Sequence, residues 1–534
     1  MARDRDTGFF GHPIGLANLF FTEMWERFSY YGMRAFLLVY LATPTALGGK
    51  GMFDPIKNQP LPIAGAIVGM FGASVYLLAL PGGWIADRFL GQRKAVIVGG
   101  IGIAIGNGIL AFPGLGDMFY LGLVFIAFGT GFLKPNISTL VGQLYPEGDP
   151  RRDSGYTIYY MGINIGAFLA PLACGYLAQH PGFREWLTSH DLDPNLCWNF
   201  AFGCAAVGMV FGLIQFMSLN HWLGEAGKHP TIPDDPVRAK RDRTVLMAIV
   251  AALVVVGAVV VLATPSAEVI RETMGIGLII GSVLLFVGLY ASARDAKEKR
   301  GILAMLPLYI GAISFFAIFE QAPTTLAEFG EYFTARELFG VTIPASYYQS
   351  VNSIFIVALA PVFAFIWVVL ARKGKEPNSV AKFAIGMALL ALAFVVMIPA
   401  QATRESPVSG TYLIGLYFFY TLAELCISPV GLSSMSKLAP KRLAGMVMGM
   451  WFFGTAIGIY LAGRASSISA GKGFTWLFTF LFIASLVVSA ILFVIAPKIR
   501  RMMANDKASA PADRTEKVEP EPLPGAKATF KKGD

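Results

Sequence analysis

Charge is scarce in this chain. Asp, Glu, Lys and Arg make up 14% of its 534 residues, against 55% for hydrophobic ones, whereas soluble domains carry about 25% charge. That supply cannot cover a water-facing surface, so an ordinary soluble enzyme is excluded. Reactive groups are equally thin. Cys174, Cys197, Cys204 and Cys426 lie in or beside apolar segments without metal-ligand spacing, and read as small core residues with no disulfide. No nucleophile–base constellation, metal-ligand cluster, nucleotide-binding loop or large signalling domain is present, which weighs against an enzyme or a receptor and implies no cofactor. A cleavable leader is not expected either, because the first apolar stretch is long, carries charges inside and has no clear cleavage site.

What the chain does have is apolar runs of about twenty residues, recurring along its length, the pattern of a polytopic all-α membrane protein. Fourteen spans are expected, near 14–42, 62–88, 94–113, 118–142, 154–179, 197–222, 243–264, 270–292, 302–322, 346–371, 378–400, 409–436, 442–465 and 472–497. The net charge of +9 does not point to nucleic acid, because the basic residues sit in short connections. Arg88, Arg93 and Lys94, then Arg151 and Arg152, the cluster from Lys228 to Arg243, that from Arg294 to Arg300, Arg372 to Lys375, Lys437 to Arg442 and Lys498 to Arg501 all fall on one side. That asymmetry places both termini in the cytoplasm, with membrane lipid as the surrounding partner. The two spans at 243–264 and 270–292 have no interior charge and are fenced by basic linkers. They read as a peripheral hairpin between two six-helix halves, so the organisation expected is 1–222, an inserted 223–300, 301–501 and a disordered cytoplasmic tail at 502–534.

The stretch FTEMWERFSYYGMRAFLLVY at 21–40 breaks the apolar rule. At about 100° per residue, Glu23, Glu26, Arg27 and Arg34 fall with Tyr30 and Tyr31 within a stripe roughly 140° wide. Each charge at a bilayer centre costs on the order of 2.5–3.5 kcal/mol, so this stripe must face protein or water. It is either a self-compensating packing cluster or, since a buried carboxylate beside an arginine can hold or release a proton, a coupling element. Lys134 in GTGFLKPNIS and Glu424 in TLAELCISP are single charges in otherwise apolar helices and need partners. Glu424 and Ser428 lie one turn apart, as do Trp451 and Thr455 in MWFFGTAIG, although Trp451 reads equally well as core. Tyr160 and Asn164 in IYYMGINIG, Glu320 in FFAIFEQAP and Asn352 in YYQSVNSIF bring further polar groups into the membrane.

Two resemblances follow from these stretches. GGWIADRFLGQRK at 82–94 resembles the loop signature of the major facilitator superfamily, with one extra residue before Gly91. E-x-x-E-R-F-x-Y-Y-G at 23–32, G-x-G-x-x-K-P-N ending at Asn136 and Y-x-x-I-N-x-G at 160–166 together resemble the proton-dependent oligopeptide transporters. The resemblance implies the major facilitator fold, two six-helix bundles plus the extra helix pair of prokaryotic members. It also implies that Tyr30, Tyr31, Tyr76, Tyr160 and Trp451 line adaptable side-chain pockets. Animal relatives couple protons through a histidine in the second helix. None of His12, His180, His190, His221 and His229 lies there, so coupling here must rest on carboxylates.

The chemistry of a zwitterionic peptide suits such a set. Arg34 and Lys134 supply cations for a carboxylate and Glu320 an anion for an ammonium, with Asn164 and Asn352 as neutral hydrogen-bond partners. The expectation is a monomer in the cytoplasmic inner membrane that imports di- and tripeptides with protons by alternating access. Lys134–Glu424 and Arg34–Glu320 bridges would close the cytoplasmic side. Two alternatives remain, a transporter of nitrate or another small organic anion, which Glu320 disfavours, and a non-transporting peptide receptor or enzyme.

Overall fold

The computed structural model describes residues 6–54, 59–60, 62–114, 116, 118–146, 148–230, 237, 239–248, 251, 266–338, 340–400, 403, 405–438 and 443–508. Among them are thirteen long helices: α1 Gly15–Ala42, α2 Pro62–Ile85, α3 Gln92–Ala111, α4 Met118–Gln143, α5 Arg152–Gln179, α6 Cys197–Ser218, α7 Ala267–Ala291, α8 Ala296–Phe319, α9 Tyr348–Arg372, α10 Ser379–Met397, α11 Thr411–Leu438, α12 Ala444–Lys472 and α13 Phe474–Ala508. Twelve are long and apolar enough to span a membrane. The exception is α1, whose 28 residues suffice but whose four charges do not fit lipid. Of the fourteen expected spans, 243–264 lies largely outside the described residues. Helix α13 outlasts its apolar run, because the lysines and arginines that end a membrane span are good helix formers. Residues 502–508, expected to be disordered, therefore continue that helix, and the rest of the tail lies outside the described residues.

The helices pack as two bundles. In the first, α1 lies against α5 and α6, and α4 against α2 and α3; in the second, α10 lies against α11 and α13, and α8 against α12. Without a hydrophobic force between helices in lipid, close backbone approach supplies the packing, and small residues permit it. A Cβ on Gly99 of α3 would lie 2.6 Å from the Gly129 carbonyl oxygen of α4, and one on Gly106 would lie 2.6 Å from that of Gly122.

The bundles meet along α2 and α12, where a Cβ on Gly69 would lie 2.8 Å from Gly463 Cα. Helix α7 lies outside this seam. Its Leu278 shares a buried cluster with Ala73 of α2 and with Ala456 and Tyr460 of α12, and the Tyr460 hydroxyl donates to the Arg271 carbonyl at 2.8 Å. Only 17% of its apolar window is buried, against 72% for α12, as a peripheral element requires.

The bundles also meet at the end where α1 and α5 finish, called the far end below. There Gln179 Nε2 donates to Glu331 at 2.8 Å, its Oε1 accepts from the Ser346 backbone at 3.1 Å, and Ser350 Oγ donates to the Phe168 carbonyl at 2.8 Å. At the opposite, near end, α2 passes through a wide turn at Ala86–Leu90 into Gly91, at φ +76°. Gln92 Nε2 reaches Asp87 at 2.8 Å, Arg88 pairs with Asp242 at 2.5 Å, and Arg93 donates to the carbonyls of Ala226 at 2.5 Å and Gly224 at 2.6 Å. The basic loop is thus a built knot.

Candidate functional site

The α1 stripe is buried, as its charges demand. Glu23, Glu26 and Arg27 are each no more than 3% exposed. Arg27 Nε pairs with Glu26 and lies 3.2 Å from Glu23, so one cation serves two carboxylates. The guanidinium sits over the rings of Tyr30 and Tyr31, at 5.3 and 5.8 Å. One turn on, Arg34 also lies over the Tyr30 ring, at 5.7 Å, and pairs with Glu320 of the second bundle.

Glu320 owes its place to a break in helix geometry. It caps the end of α8, and Pro323, which has no N–H to give, starts a wide turn at Ala322–Leu326. Gln321 secures that turn, with Nε2 donating to Ala317 at 2.9 Å and Ala462 at 3.4 Å, and with Oε1 accepting from Thr325.

Between the bundles lies a cavity of about 170 Å³. The first bundle lines it with Tyr31, Arg34, Tyr160 and Asn164, the second with Glu320, Asn352 and Glu424. Asn352 Nδ2 donates to Glu424 at 3.1 Å and to Thr421 at 3.0 Å, and Asn164 Nδ2 donates to its own helix, to the Tyr160 carbonyl at 2.9 Å. Tyr160 lines this space. The wall therefore holds one guanidinium and two carboxylates, with amides and phenols between them. Among the described residues no group of His, Cys, Asp or Glu could hold a metal, and the four cysteines are free.

Lys134 is placed by its neighbours in sequence. Pro135 interrupts the α4 ladder, and the Asn136 side chain ties the same turn down, donating to Phe132 at 2.7 Å and to Gly82 of α2 at 3.4 Å. The ammonium lies 4.0 Å from the Tyr76 ring centroid, within electrostatic range of Glu26 and Arg27.

The two expected bridges therefore differ. Arg34–Glu320 is made, but next to the contact of Gln349 Nε2 with the Ala35 carbonyl at 3.0 Å, on the far side of the cavity and not on the side facing the basic loops. Lys134 does not pair with Glu424: its ammonium is on Tyr76, while Glu424 accepts from Asn352. The bundles are joined at the far end and along the seam, and this arrangement leaves α4 and α11 on separate partners.

Not every residue expected at the substrate site meets this cavity in this conformation. Tyr30, Tyr76, Lys134, Ser428, Trp451 and Thr455 do not line this cavity. Trp451 packs on Phe316, ring centroids 6.1 Å apart, and against Gly431. Thr455 Oγ1 returns to the Trp451 carbonyl at 3.1 Å. Tyr30 is buried between two arginines and stacks on Phe71. Conversely, Gln349, Tyr417 and Tyr420 line the cavity and were not anticipated. Tyr417, Tyr420 and Glu424 lie three and four residues apart, one face of a helix, and that spacing was the available signal.

Comparison with known proteins agrees with this architecture. A peptide transporter of Yersinia enterocolitica is 38% identical over 93% of this chain and 96% of its own. A di-/tripeptide transporter of Lactococcus lactis subsp. cremoris is 36% identical over 93% of this chain and 98% of its own. The crystal structure of a peptide transporter POT in complex with sulfate superposes with a TM-score of 0.83 at 37% identity, covering 93% of this chain and 96% of that one. The family model described as the POT family matches residues 93–477, and with relatives this similar along nearly the whole length, the chain belongs to the POT family.

Proposed function

We propose that this protein is a proton-coupled symporter that imports di- and tripeptides by alternating access. The observation that carries the reading is the Arg34–Glu320 pair, made across the two bundles and on the wall of the cavity between them. A peptide offers both members a better partner at once, its carboxylate to the arginine and its ammonium to the glutamate. Binding thereby dissolves a contact that holds the bundles together. Asn164 and Asn352 can bond the peptide backbone whatever its side chains, and Tyr31 and Tyr160 provide adaptable apolar walls. Lys134 and Arg34 stand as the cationic end of the path, although only Arg34 faces the cavity in this conformation.

Protons enter through carboxylates. Glu23 and Glu26 share one arginine, so a proton on either relieves the excess negative charge of the trio. Glu424 accepts from the neutral amide of Asn352, and its charge state sets whether the cavity is net negative. Lys134 exchanging its tyrosine ring for Glu424 would mark the conformation closed at the near end. One proton falling through about 100 mV yields roughly 2.3 kcal/mol, and one pH unit adds about 1.4 kcal/mol, enough for a several-hundred-fold gradient of a neutral peptide. The loop charges support a cytoplasmic near end, hence cytoplasmic termini in an inner membrane. We also propose a monomer as the working unit, because Arg34 of the first bundle and Glu320 and Glu424 of the second complete the charged wall of the cavity within one chain.

The test is reconstitution into proteoliposomes with an internal pH dye. Dipeptide added outside should acidify the lumen, and an anion such as nitrate should not. Acidification by nitrate alone, or peptide binding without acidification, would replace this reading with one of its rivals.

A further inference from the structure

The inserted segment touches both bundles, by different means. It enters through the helical stretch 239–248. Among the residues of that stretch Asp242 alone is buried, at 5% exposure, while Lys240, Arg241 and Arg243 beside it are exposed. What buries it is the first bundle, where Arg88 donates to Asp242 at 2.5 Å. A basic linker and a basic loop would otherwise repel each other, so this one acid decides that they dock. Helix α7, at the other end of the segment, is fastened to the second bundle. The Tyr460 hydroxyl of α12 donates to the Arg271 carbonyl at 2.8 Å, Arg464 of α12 pairs with Glu272, and Ser282 Oγ lies 2.8 Å from the Tyr309 hydroxyl of α8. Small residues on α7 permit this approach: a Cβ on Gly275 would lie 2.4 Å from the Tyr460 hydroxyl.

We propose that the inserted segment is a tie between the bundles, clamped to the first by Asp242 and to the second by α7, and that it favours the conformation joined at the far end. The proposal rests on the alternating-access reading above. Arg88 stands at the near end, 19 residues from Gly69 of the seam. When the bundles tilt about the seam, Arg88 is therefore displaced past the second bundle. The apolar contact of Leu278 with Ala73 is only four residues from Gly69 and moves far less. Between the two clamps the chain is an apolar span by its sequence, and lipid denies it the unpaired backbone that slack would need. Tilting must then break the Arg88–Asp242 contact or lift α7 off α12. Either one raises the free energy of the conformation open at the far end and so lowers its population.

The experiment labels a Y31C probe in the full chain, in membrane vesicles of known orientation, with a membrane-impermeant thiol reagent; labelling of the protein without Y31C is subtracted. D242N releases the first clamp, and G275V drives α7 off Tyr460 to release the second. Each should raise far-side labelling about three- to tenfold, the range of a partly buried charged contact, without raising it from the near side. The double variant should rise no further than the larger single one, because a tie cut at either end is cut. Two local stabilisers with no shared partner would add instead. An additive rise, a rise from both sides or wild-type labelling in D242N overturns the proposal. Should D242N not fold, R88Q removes the same contact from the other side and is read in the same way. A wild-type protein without dipeptide counterflow overturns the transport reading and the tie with it, whereas counterflow with additive labelling overturns the tie alone.

Discussion

At the scale of residues, the site is a shortage of cations. Arg27 serves Glu23 and Glu26, and Arg34 serves Glu320 while Glu424 shares the same wall. Glu26→Gln should leave counterflow within about twofold of wild type while proton-driven uptake drops at least about tenfold, the equivalent of one pH unit of driving force. Equal loss of both would make the stripe a packing element. Removing one member of a buried pair costs roughly 3–5 kcal/mol because its partner is left uncompensated, so Arg34→Ala should lower the melting temperature more than the double change Arg34→Ala, Glu320→Gln. Thermal melts in detergent decide it, and an additive loss would deny the pair its role. These residues were legible in sequence because a charge inside an apolar helix has to be explained. Tyr417 and Tyr420 were not. A phenol in a membrane helix is as much at home in a core as in a cavity, and only the packing of α11 on α8 separates Tyr417 and Tyr420 from Trp451.

At the scale of elements, glycines decide where helices touch. A valine at Gly463 would drive its side chain into the backbone of Gly69, and overpacking of this kind costs typically 1–3 kcal/mol. Gly463→Val should therefore abolish uptake and counterflow together while peptide binding persists. Gly108→Val, on a glycine with nothing within 4 Å of its missing Cβ, should change neither by more than about 0.5 kcal/mol. Transport measured beside ligand-induced melting shifts separates these outcomes, and a functional Gly463→Val would show that the seam tolerates a wedge. The spans themselves were readable from apolar runs to within a few residues, since lipid demands satisfied backbone over a set length. Helix ends were less so: the end of α13 depends on propensity beyond the membrane, and the wide turn after Glu320 on a proline whose effect is local.

At the scale of the molecule, the bundles are joined by the far-end latch, the seam and the Arg34–Glu320 pair, and transport requires that the latch and the pair release while the seam holds. Gln179 bonds both Glu331 and Ser346, so Gln179→Ala should shift the population towards opening at that end, raising far-side accessibility of a cysteine placed at Tyr31 to a membrane-impermeant thiol reagent. Unchanged labelling would remove the latch from the scheme. None of this geometry was in the motifs, which name residues without saying which conformation pairs them; Lys134 and Glu424 illustrate the difference. The closest backbone approach in the seam, Gly69 on Gly463, is off centre. Eleven residues of α2 separate Gly69 from Leu80, which packs on Gly449, whereas seven separate it from Pro62. At 1.5 Å per residue the arms of this lever are about 17 and 10 Å. A rocking motion about that fulcrum travels further at the near end than at the far end for every degree turned, so in the orientation proposed above the wider mouth would open on the side of peptide release.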